Sequence, residues 1–75
     1  MSTESNMDDF AIRTLQKYGV KITIDRNIQK NRGYVFTPST IAGSHEERVR
    51  FQFAIDLMVL ALERRPDYIR KFQLE

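Results

Sequence analysis

The stretch Phe51-Gln52-Phe53-Ala54-Ile55-Asp56-Leu57-Met58-Val59-Leu60-Ala61-Leu62 decides how this chain is read, because it is helix-length and apolar on more than one face. At 3.6 residues per turn, Val49, Phe53, Leu57 and Leu60 form one stripe, while Phe51, Ile55, Met58 and Leu62 form another nearly opposite it. A helix on the surface of a monomer needs one apolar stripe. Two imply a helix held between the chain's own core and a second surface. The expectation is that Phe51, Ile55, Met58 and Leu62 meet that second surface, a second copy of the chain or a partner protein. A monomer covers both stripes only if a β-hairpin takes one and two short helices take the other.

Upstream of this stretch, Ser44 and Glu47 have the spacing of a capping box, and Glu46 with Glu47 matches the positive end of a helix dipole. Glu46 and Arg50 form an i,i+4 pair in the favoured order, and Arg64 and Arg65 put positive charge at the far end. The spacing predicts a helix from His45 to Arg64. Downstream, Pro66 disfavours helical backbone at Arg65 but suits the first turn of a new helix, predicted over Asp67 to Phe72. Tyr68, Ile69, Phe72 and Leu74 are its candidates for burial.

Towards the N-terminus the period changes. Val20, Ile22 and Ile24 alternate with Lys21, Thr23 and Asp25, which predicts a half-buried strand, and Ile28 keeps the parity as far as Gln29. Lys30-Asn31-Arg32-Gly33 reads as a turn into Tyr34-Val35-Phe36-Thr37, a second strand that Pro38 ends. Before the hairpin, Met7, Ala11, Leu15 and Tyr18 recur at helical spacing with Phe10 on the flank. Ser5 is the candidate cap, Asp8 and Asp9 suit the first turn, and Gly19 supplies a left-handed stop. A helix over Met7 to Tyr18 follows. Residues 1–5 are expected to be a disordered N-terminus and residues 6–75 a single domain. The fold class is α+β, in the order helix, β-hairpin, long helix, short C-terminal helix (α-β-β-α-α), and a dimer is expected.

Composition narrows the function by exclusion. With 75 residues, 41% of them hydrophobic and 29% charged, the chain reads as one small globular domain. It holds no cysteine and a single histidine, His45, which removes disulfides, thiolate metal sites and histidine pairs. His45 follows a capping serine and is expected to be exposed. The three glycines lack the spacing of a phosphate loop, and the carboxylates sit at helix starts or opposite arginines. Asp56 marks, with Gln52 and Glu63, the narrow polar strip of the long helix. No catalytic, cofactor or metal site is expected. Nor is a membrane span, because the apolar run is about half the ~20 residues that crossing requires.

Charge is uneven. Lys17 to Arg32 holds five basic residues against one acidic, a net of +4. Within and beside that run, Lys21, Arg26, Lys30, Arg32 and Tyr34 make a candidate contact for nucleic acid or an acidic partner. The plainer account is a solvated turn whose charges deter edge-to-edge pairing. The leading expectation is therefore a non-catalytic, cytoplasmic interaction or regulatory protein of adaptor or inhibitor type, such as phages and plasmids encode, acting on a protein partner and forming a homodimer. A nucleic-acid-binding regulator using residues 21–34 is the alternative.

Overall fold

The computed structural model describes residues 3–72, and its elements follow the expected order. Helix α1 (Thr3–Lys17) leads to strands β1 (Lys21–Ile24) and β2 (Tyr34–Thr37), then to helix α2 (His45–Arg64). A 3-10 turn at Pro66–Tyr68 continues into the one-turn helix α3 (Ile69–Phe72). The chain is thus an α+β unit with an antiparallel two-stranded hairpin. Leu74 lies outside the described residues.

α1 begins at Thr3, two residues before the Ser5 expected to cap it. No glycine or proline between Thr3 and Met7 opposes helical backbone, so nothing local stops the helix at Ser5. Its other end is set by Gly19, at φ +61°. The Val20 amide donates to the Leu15 carbonyl at 3.1 Å and the Gly19 amide to the Gln16 carbonyl at 3.1 Å. This is a Schellman closure, and it turns Val20 into the core.

The strands are shorter than alternation suggests. β1 stops at Ile24 because the Asp25 side chain accepts from the Asn27 amide at 3.0 Å, and its carbonyl accepts from the Ile28 amide at 3.1 Å, so the chain turns. The Asp25 amide then donates to the Gly33 carbonyl at 2.7 Å and closes the loop. Ile28 is consequently on a loop and exposed, not on the buried face of a continuing strand. The register pairs Ile22 with Phe36 and Ile24 with Tyr34, which places these four on one face of the hairpin.

α2 has the expected bounds, with the Ser44 hydroxyl accepting from the Glu47 amide at 3.1 Å. The other half of the capping box is diverted, since the Glu47 carboxylate accepts from the Tyr18 hydroxyl at 2.8 Å. α1 and α2 pack antiparallel: Tyr18 meets Glu47 at one end, Phe10 meets Phe53 midway, and Asp8 meets Arg64 at the other. Ala11, Ala54 and Ala61 are fully buried, and their small side chains suit close approach of the two helices. Leu15, Ile22, Met58 and Leu62 complete the centre of the core, each burial contributing roughly 1.5–3 kcal/mol.

Gly19 is more constrained than its role as a stop requires. A Cβ there would lie 2.2 Å from the Ser39 hydroxyl oxygen, which itself donates to the Tyr18 carbonyl at 3.1 Å. Gly19→Ala is therefore expected to destabilise the fold by roughly 1–2 kcal/mol from left-handed backbone alone, with the steric conflict adding to it. Ser44→Ala should cost about 1 kcal/mol through loss of the cap. Urea unfolding of the two variants checks both figures, and a neutral Gly19→Ala would disprove this account of the α1 terminus.

Candidate functional site

Burial sorts the two stripes of α2 in the opposite sense from the one expected. Ile55, Met58 and Leu62 are 7%, 0% and 1% exposed, and Phe51 packs edge-on against Tyr18 with ring centroids 5.2 Å apart. These four residues face the chain's own core, so the assignment of Phe51, Ile55, Met58 and Leu62 to an outer interface is corrected. The reason lies between the stripes: α1 docks beside Ala54 and Ala61, the hairpin closes on the same side of α2, and both bury the second stripe. Val49, Phe53 and Leu60 point away from that core and remain 54%, 52% and 51% exposed.

This outer stripe continues onto α1. Phe10 lies with its ring centroid 5.7 Å from that of Phe53, at an interplanar angle of 52°. Met7 joins Leu57 and Leu60 along a shallow groove between the helices, whose polar end is formed by Asp8, Glu63 and Arg64. Met7, Phe10, Val49, Phe53, Leu57 and Leu60 thus form one apolar face across two helices. Met7 was expected in the core; Asp8, one position on, takes the buried place because it has polar partners there.

Those partners latch the helix pair at one end. The buried Asp8 carboxylate accepts from Arg64 Nη2 at 3.0 Å and from the Tyr68 hydroxyl at 3.4 Å, while the Arg65 and Lys71 cations lie over the Tyr68 ring at 4.7 and 5.1 Å. The other latch is Tyr18 with Glu47. The hydrogen bond to Glu47, then burial, then the negative charge of Glu47 raise the Tyr18 pKa above its ordinary value. No sequence motif signals either latch, since Asp8 and Glu47 each have a local explanation at the positive end of a helix dipole. The available signal was position: Asp8 lies three residues before Ala11 and seven before Leu15, on the face that packs.

The basic hairpin residues do not form one surface. Lys21 is on β1 opposite Thr37, three residues, or about 10 Å, along the strand from the loop end, whereas Arg26 and Lys30 lie in the loop. Arg32 forms an ion pair with Glu63 of α2. Tyr34 is half-buried and packed against the core. Asn31 and Arg32 take left-handed backbone, at φ 54° and 56°, ahead of Gly33 at φ 86°, and these three residues lead the long loop from Asp25 back into β2. His45, Gln52 and Asp56 are exposed, and Gln52 donates to Asp56 at 3.2 Å.

Among the described residues there is no group of three or more histidine, cysteine or acidic side chains that could hold a metal ion, and no helix is long and apolar enough to cross a membrane. No protein family, curated protein or solved structure matches the chain.

The reversal of the stripes has a direct thermodynamic consequence. Met58→Ala and Leu62→Ala should each cost roughly 2–5 kcal/mol in urea unfolding. Phe53→Ala and Leu60→Ala, on the outer stripe, should cost well under half as much, and equal losses on both stripes would refute the assignment. Alkaline titration reads the Tyr18 latch. One of the three tyrosines should ionise late by ultraviolet absorbance, and Glu47→Gln should bring it back towards its ordinary value. Because folding raises this pKa, the stability it contributes is present below the ordinary tyrosine value of about 10 and is lost as pH rises through the higher folded value.

Proposed function

We propose that this chain is a non-catalytic interaction protein of the cytoplasm, and that its working surface is the apolar face formed by Met7, Phe10, Val49, Phe53, Leu57 and Leu60, which binds another protein. The observation that carries this reading is the half-exposed stripe of Val49, Phe53 and Leu60 on the side of α2 opposite the core. The six side chains are contiguous, and the largest apolar patch on a soluble domain is often functional. Phe10 and Phe53 at its centre are the kind of aromatic pair that anchors protein interfaces. Helices latched at both ends present such a face with little rearrangement, which lowers the ordering cost of binding.

Nucleic-acid binding by the hairpin has less support. Arg32 is engaged by Glu63 and Tyr34 by the core, which leaves Arg26 and Lys30 as the exposed cations of the loop.

Capture from extracts of the native host discriminates the two readings. Tagged wild-type chain and an Arg26→Glu/Lys30→Glu variant should hold the same protein through a high-salt wash, and a Phe53→Glu/Leu60→Glu variant with unchanged helical circular dichroism should lose it. Capture of nucleic acid that survives the face change, fails with the loop change and has an affinity falling with salt at a log–log slope of about −0.9 per phosphate contact would establish the nucleic-acid reading instead.

A further inference from the structure

Beside the apolar stripe lies a charge that any occupant of the face must satisfy. Asp56 lies three residues after Phe53 and four before Leu60, on the same side of α2 as the stripe, and is exposed. Its carboxylate accepts from Gln52 at 3.2 Å and has no cationic partner among the described residues. A surface that covers Phe53 and Leu60 also covers Asp56, and a carboxylate removed from water needs a cation beside it.

The chain itself carries a cation suited to that place. Arg13 is exposed one turn along α1 from Phe10, on the flank that bears the apolar face, and makes no ion pair or hydrogen bond among the described residues. The face thus has an acid without an ion pair at its α2 edge and a base without an ion pair at its α1 edge, Asp9 lying one turn before that base. Resting on the reading of this face as a protein-binding surface, we infer that its occupant is a second copy of this chain, related by a twofold axis that sets Arg13 of each copy against Asp56 of the other. A twofold pair is self-complementary, so one such contact entails its equivalent. The buried Asp8 and its Arg64 partner stay outside the exchange, since each already compensates the other within one chain.

Charge reversal with complementation tests the inference on the purified full chain. Light scattering behind a sizing column, from micromolar to millimolar concentration, should give the wild type about twice the 8.9 kDa chain mass. Arg13→Asp alone and Asp56→Arg alone should each give one chain mass, because both contacts then juxtapose like charges. An equal mixture of the two variants should recover the doubled mass, since each mixed contact again pairs acid with base. Both side chains are exposed, and unchanged circular dichroism of each variant excludes unfolding as the cause of dissociation. A wild type at one chain mass throughout that range, or a doubled mass that neither single change reduces, overturns the second copy paired in this way. Either result leaves the face itself to be judged by whether the Phe53→Glu/Leu60→Glu chain loses a captured protein, so the two failures are read separately.

Discussion

Tyr18 is the residue on which the arrangement of the other elements depends. Its carbonyl, at the end of α1, accepts from the Ser39 amide at 3.1 Å, the Thr40 amide at 3.2 Å and the Ser39 hydroxyl at 3.1 Å, so the segment leaving β2 is tied to the end of the first helix. Its hydroxyl donates to Glu47 in the first turn of α2, and its ring meets Phe51 edge-on. One side chain and one carbonyl therefore join three parts of the chain distant in sequence. Gly19 belongs to the same constraint, because only a residue without a Cβ lets the Ser39 hydroxyl approach the Tyr18 carbonyl from that side.

With that junction fixed, the rest of the helix pair follows from side-chain size and polarity. Small residues at Ala11, Ala54 and Ala61 bring α1 close to α2 along a line between the two apolar stripes. The hairpin contributes Ile22 to the same side, and the centre of the core forms around Leu15, Met58 and Leu62. The outer stripe is left uncovered because every described element packs beside or across the other stripe of α2. Latches at Asp8 and Tyr18 then hold the two helices that carry the exposed face, which explains how a surface so apolar is presented as a fixed shape.

Charges near the face and the hairpin serve different ends. Arg32 is spent on Glu63 and thereby ties the loop to α2, Arg64 is spent on Asp8, and Arg50 answers Glu46 within one helix. Asp56 and Arg13, like several other exposed charges, have no such ionic partner among the described residues.

Much of the local structure is legible in the sequence because its causes are local. Ser44 starts α2, Gly19 ends α1, alternation from Val20 marks β1, and Pro38 follows the last residue of β2, each through the backbone preference of one or two residues. Element order and class follow from these. Legible too is the presence of two apolar stripes on α2, the feature from which the candidate site derives. Which stripe is buried is not written in their composition, because both are equally apolar and hydrophobic burial has no direction of its own. Only the docking of α1 beside Ala54 and Ala61, with the hairpin beside it, breaks that symmetry and turns Phe51, Ile55, Met58 and Leu62 inward. The same holds for Asp8 and Tyr18: a carboxylate in a first turn and an aromatic at a helix end have local explanations, and their partners, 56 and 29 residues away, come within reach only when the chain has folded.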